Sequence, residues 1–227
     1  MNPQILEKWN RWLGDADSDG SIAHELANLA VIREIHSGLR KMVDNNKNLQ
    51  KPSEFYSVIQ LTYSQSVLMY IRRQVRRDKD SVSLIMLADE ILKNSEQITK
   101  EFCSNLYTTN RPDEEREQWK RLGEREFVKY FGGSLGDRLD PHIIEQDIQQ
   151  LVKIFNGSSG LTDRRLAHLD KRAPTSIPIY PDIESWCDDL NEILRKYMLL
   201  FRAVEYKVKP VLQDDWKSIF RTAWLRV

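Results

Sequence analysis

Residues Leu161-Thr162-Asp163-Arg164-Arg165-Leu166-Ala167-His168-Leu169-Asp170-Lys171-Arg172 set the imidazole of His168 three residues after Arg165 and four after Arg164. On a helix these intervals bring all three side chains to one face. An imidazole with an ordinary pKa near ~6.5 gives or takes a proton at neutral pH, and a guanidinium fork steadies an anionic centre through paired hydrogen bonds. The combination suits phosphate chemistry. Arg164, Arg165 and His168 are therefore the candidate catalytic residues, and Lys171 and Arg172 extend the positive charge toward a polyanion. The same spacing also describes an ordinary surface or helix-end histidine, because the motif is short.

A second basic cluster lies upstream, in Ile71-Arg72-Arg73-Gln74-Val75-Arg76-Arg77-Asp78-Lys79. Arg72 with Arg76, and Arg73 with Arg77, stack at i,i+4. Cations favour a helix C-terminus, but that effect does not call for four arginines, so the cluster fits either contact with nucleic-acid phosphates or a solvated face. Asp15, Asp17 and Asp19, with Gly20 and Ile22, match the first half of a calcium loop. The second half fails. Its twelfth position, where a bidentate acid is required, is Leu26, and Glu25 falls one residue early. Without an ion the segment reads as a connection capping the next helix. His24 and His36 are too far apart to share a metal, and read as core-edge or surface residues. Neither a metal nor another cofactor is expected.

Balanced charge bounds the partners. Lys plus Arg total 34 and Asp plus Glu total 34 among 227 residues, so nucleic acid must be held by a local patch and not by the field of the whole molecule. The two cysteines, Cys103 and Cys187, lack metal or redox spacing and predict reduced thiols. With no leader pattern at the start and no run approaching the ~20 apolar residues of a membrane span, the expectation is a cytoplasmic protein without a membrane partner.

The elements that must position these residues read as helices throughout. Asn2-Pro3 opens a short one; Ile22 to about Asn45 carries a single apolar stripe; Ser53 opens another, running to about Arg77 with Phe55, Val58, Ile59 and Tyr63 on its face. Asp80-Ser81 caps a further helix, expected to continue with a bend through Ile98 and Leu106. A charged helix spans Asp113 to about Phe131, and another runs from Pro141 to a glycine hinge at Gly157-Ser158-Ser159-Gly160. The last helix begins near Asp182, and Ile183, Trp186, Leu190, Ile193, Tyr197 and Leu200 recur on it at three- and four-residue intervals. No segment alternates as a strand does. The fold class is all-α, with Leu29, Ile59, Leu87, Ile148, Leu190, Ile193 and Leu200 in the core, and the aromatic tail is expected to dock on the body.

A helix ending Ile71-Arg72-Arg73, the following Ser81-Val82-Ser83-Leu84, a basic turn ending Leu166-Ala167-His168-Leu169-Asp170, and a tail with Trp216, Ile219-Phe220-Arg221 and Trp224 together resemble the HEPN superfamily, most of all its bacterial abortive-infection U-type branch. The resemblance covers roughly residues 20 to 225. It implies a HEPN-like helical bundle with additional peripheral helices, one domain over 1–227 with its core at about 20–210 and a docked tail at 211–227. It further implies a homodimer in which two Arg/His motifs face one cleft, and metal-independent RNA cleavage in phage defence or a toxin system, with an antitoxin or regulatory protein as a further partner. On that pattern His168 moves the proton at the ribose 2′-hydroxyl or the leaving oxygen, and an arginine stabilises the charged phosphorus. The arginine position departs from the pattern. The family leaves four to six residues between Arg and His, whereas Arg164 and Arg165 leave three and two, and Thr162 stands where five would intervene. The other implied class is a helical module that binds RNA, a nucleotide or a protein without cleaving.

Overall fold

The computed structural model describes residues 1–51, 53–133, 135–161, 178–212 and 214–221, and over these the chain is all-α. Among the described residues no strand forms; a lone bridge joins Thr99 and Arg138. Polar caps start the helices where the sequence supplies them. Asn2 accepts from the Gln4 N–H at the head of α1 (Pro3–Leu13), Ser21 does the same for α2 (Ile22–Asp44), and Ser53 for α3 (Glu54–Val75).

The bent helix expected from Ser81 onward is two separate helices. Ser83, and not Ser81, caps α4 (Leu84–Lys93), and the Gln74 side chain accepts the Leu84 N–H at 3.2 Å. A 3₁₀ turn at Ser95–Gln97 then leads to α5 (Lys100–Thr108), which has its own cap in Thr99. Helix α6 (Asp113–Phe127) packs on α5 and continues into a π turn at Val128–Gly132.

Helix α7 (Pro141–Leu161) corrects a second expectation. It runs through Gly157-Ser158-Ser159-Gly160 instead of hinging there. The glycine serves packing: a Cβ at residue 157 would lie 2.6 Å from the Trp186 ring, so only a bare backbone lets that indole in.

Helix α8 (Tyr180–Arg202) is the axis of the bundle. It packs against α1, α2, α3, α4, α5 and α7. Ile183, Leu190, Ile193, Tyr197 and Leu200 of its stripe are buried, and Leu29 and Leu87 from α2 and α4 join the same core; Trp186 is partly buried, and Val204, which the three-four pattern would add to the stripe, lies past the helix end and is exposed. Ile148 and Ile59 are only partly buried. Ile59 lines an apolar groove with Leu39, Met42, Leu49 and Phe220. Phe55 and Val58, on the face of α3 that its apolar pattern predicts to be buried, are 64% and 59% exposed, and Leu61 nearby is 58% exposed; burial on α3 starts at Tyr63 and becomes dense at Val67. After α8 the described residues up to 212 form no regular element, and a 3₁₀ segment follows at Trp216–Arg221, whose Trp216 ring lies 2.5 Å from where a Cβ on Gly38 of α2 would be. Cys103 and Cys187 are free and buried, and burial pushes both thiols up to about 12, which keeps them protonated at neutral pH. No described helix is long and apolar enough to cross a membrane.

Candidate nucleic-acid interface

The arginine cluster sits where α3 ends, and the structure separates its members. Arg77 is clamped by Asp89 through Nε at 2.7 Å and Nη2 at 3.0 Å, and this fork holds its pKa up. Arg73 donates to Glu25 of α2 at 3.0 Å and lies over the Tyr70 ring, 5.3 Å from its centroid. Both are tied into the fold. Arg76 is exposed at the helix end and pairs with no carboxylate among the described residues. Arg72, Arg73 and Arg76 line an open groove of about 430 Å³ together with the acids Glu25 and Asp78 and with Gly20 and Ser81. Of the four arginines, Arg77 is committed to α4, Arg73 is paired with Glu25 of α2, and Arg76 lines the groove at the helix end.

The remaining candidates, Arg164, Arg165, His168, Lys171 and Arg172, lie outside the described residues. The segment that carries them is bounded by the C-terminal end of α7 and the start of α8.

The aspartate loop before α2 is organised by its own hydrogen bonds. Asp15 Oδ1 accepts from the Asp17 N–H at 3.2 Å and from Ser18 Oγ at 2.6 Å, and the Ser18 bond lowers its pKa. Glu25, the acid nearest the missing twelfth ligand, is turned to Arg73. Among the described residues no three His, Cys, Asp or Glu side chains gather as a metal site. Millimolar calcium is therefore expected to leave the melting temperature unchanged. A rise on adding calcium that disappears in Asp17→Ala would overturn this.

The site that sequence spacing passed over surrounds His36. Arg33 stands three residues before it and Arg40 four after, the same helical intervals that pick out His168, so the signal was present. His36 is 3% exposed, and so is neither at the core edge nor on the surface. Gln60 Oε1 lies 2.9 Å from Nε2 and the Tyr180 hydroxyl 3.2 Å from Nδ1. With the amide oxygen on one side, Nε2 carries the proton and Nδ1 accepts from Tyr180. The imidazole stacks on Tyr63 at 3.6 Å, and the Tyr63 hydroxyl donates to Glu184 Oε1 at 3.0 Å. Burial first, then the bonds to Tyr180 and Glu184, hold the Tyr63 phenol protonated. Arg33 completes the chain by bonding Glu184 and, at 3.1 Å, Asp188.

This network joins α2, α3 and α8, and its imidazole is saturated by protein partners. It therefore holds the helices and does not attack a substrate. Tyr180→Phe leaves Nδ1 without its donor, and the expected cost is about 1–3 kcal/mol, measured by chemical denaturation; a loss under 0.3 would mean that water replaces the hydroxyl. No protein-family model matches the chain, and the comparisons with curated proteins and with solved structures also give no match.

Proposed function

We propose that the protein is a HEPN-type endoribonuclease that works without a metal, acting as a homodimer in phage defence or a toxin system, with His168 as the proton-transfer group and Arg164 or Arg165 as the anion stabiliser. The observation that carries the RNA half of this reading is the groove at the end of α3, where Arg76 is exposed beside Arg72 and the carboxylate Glu25 is already held by Arg73. A balanced chain can hold a polyanion only where a local excess of positive charge faces solvent, and this groove supplies one. The cleavage half rests on the residue types at 164, 165 and 168. Neither cysteine offers a thiolate as a competing nucleophile.

Binding of a labelled single-stranded RNA, followed by anisotropy across a salt series, tests the first half. Arg76→Ala is expected to reduce the slope of log K against log salt by about 0.7, the share of one phosphate contact on a single strand. Incubation of the same RNA with a chelator present tests the second, and cleavage is expected to persist. An RNA that is bound but never cut would favour a binding module; cleavage that stops with the chelator would end the metal-independent assignment.

A further inference from the structure

A cluster of apolar residues stands open where α2 ends and α3 begins. Leu39, Met42 and Val43 of α2, Leu49 of the turn that follows, and Ile59 of α3 line an open groove of about 470 Å³. The apolar surface runs on past it over Phe55, Val58 and Leu61, each more than half exposed and three residues apart, so that it extends about 9 Å along α3. Among the described residues the one charged group lining the groove is Lys51, which is exposed and forms no ion pair there. We propose that this surface is the dock for an acidic amphipathic helix of a partner protein. The dock does not depend on the RNA reading above.

Shape and charge select this occupant. A contiguous exposed apolar surface marks a place of association. An acyl chain would fill the groove and leave Val58 and Leu61 in water, whereas an amphipathic helix with anchors at i, i+3, i+4 and i+7 covers groove and stripe together. The lysine then sets the sign. Of the acids nearby in sequence, Asp44 is met by Arg40 at 3.9 Å, and Glu54, exposed at the start of α3, does not line the groove, so a carboxylate on the incoming helix can pair with Lys51. Lys47, exposed in the same turn, adds charge of the same sign. Segments of this chain fit less well. Pairing α3 with α3 about a two-fold axis at Val58 matches Phe55 with Leu61, but it sets Lys51 against residue 65, a glutamine. Residues 222–227, which lie outside the described residues, carry Arg226 and no acidic side chain, so the tail repeats the charge of the groove instead of complementing it.

The test uses the full chain and two labelled designed helical peptides that share one leucine face, one with glutamate and one with lysine at its remaining positions, and reads binding by fluorescence anisotropy. The glutamate peptide is expected to bind the more tightly. Lys51→Glu is expected to weaken it by about threefold and to strengthen the lysine peptide by a similar factor, the range of an exposed charge pair. Phe55→Ala is expected to cost at least about tenfold, as loss of an interfacial anchor does. Because Phe55 is mostly exposed, the melting temperature should not move with it, and Val58→Ala gives a second reading along the stripe. Failure of the glutamate peptide to bind, equal binding of the two peptides, or binding that ignores all three substitutions would each overturn the dock. A dimer seen by sedimentation and dissociated by Val58→Asp would overturn it too, by giving the face to a second copy. So would peptide binding that appears only when the chain is cut back to Arg221, which would give the groove to the tail.

Discussion

Replacing His168 with alanine is expected to abolish RNA cleavage while the bundle stays folded. The loss would be of proton transfer and not of core volume, and the described histidines each have partners of their own. His36 has both ring nitrogens committed to Gln60 and Tyr180 and is buried. His24 lies against the Ala16 carbonyl, 2.7 Å away, and His142 pairs with Glu145 at 2.7 Å. The arginines should then separate. Whichever of Arg164 and Arg165 faces His168 is expected to lower turnover by about 10² to 10³ when removed, the range for a lost electrostatic stabiliser; the other should act through binding alone. His36→Gln is the matched control, since it disturbs the buried network and leaves the proposed proton carrier in place. Cleavage that continues with His168 gone, in protein free of contaminating nuclease, sinks the assignment, and cleavage lost only with His36 would move the chemistry to α2.

The largest expected loss of stability is at the centre of α8. Leu190 is fully buried, on the helix that touches six others. Truncation to alanine removes its contacts and leaves a cavity that neighbours on several helices cannot jointly close, so the cost should fall at about 2–5 kcal/mol. Ile193, 4% exposed on the same face, should cost a similar amount. Urea denaturation with the slope held constant measures both. A change below about 0.5 kcal/mol would mean that this face is solvated in the monomer.

The parts of the fold legible in the sequence are those fixed by local chemistry. Asn2-Pro3, Ser21 and Ser53 mark helix starts because a side-chain oxygen beside an unpaired N–H acts within three residues. The α8 stripe is legible for a similar reason, since burying one face while residues such as Ser185 and Asp188 stay exposed forces a regular three- and four-residue pattern. What the sequence hides is set at long range. Gly157 reads as a breaker until Trp186 is seen against it. Phe55 and Val58 read as core because an apolar residue on a helical face carries no mark of what, if anything, covers it. The candidate site divides the same way. Four arginines with equal spacing look equivalent, and only the positions of Glu25 and Asp89, 48 and 12 residues away, show that Arg73 and Arg77 are tied into the fold. His36 is the clearest case. Its flanking arginines were visible, but its burial depends on Tyr180, 144 residues later.

That separation bears on how the chain is made. Arg33 and His36 leave the ribosome long before the tyrosine and carboxylates that satisfy them, and at ordinary rates of synthesis the wait is on the order of ten seconds. During it, α2 and α3 can pair through Tyr63 and Gln60, but the guanidinium of Arg33 has neither Glu184 nor Asp188. The nascent chain must keep this surface wet, because drying an unpaired charge is costly. Completion of the bundle is thereby held until α8 arrives, and a chain stalled before residue 180 is expected to remain open along α2 and to be cut there by protease.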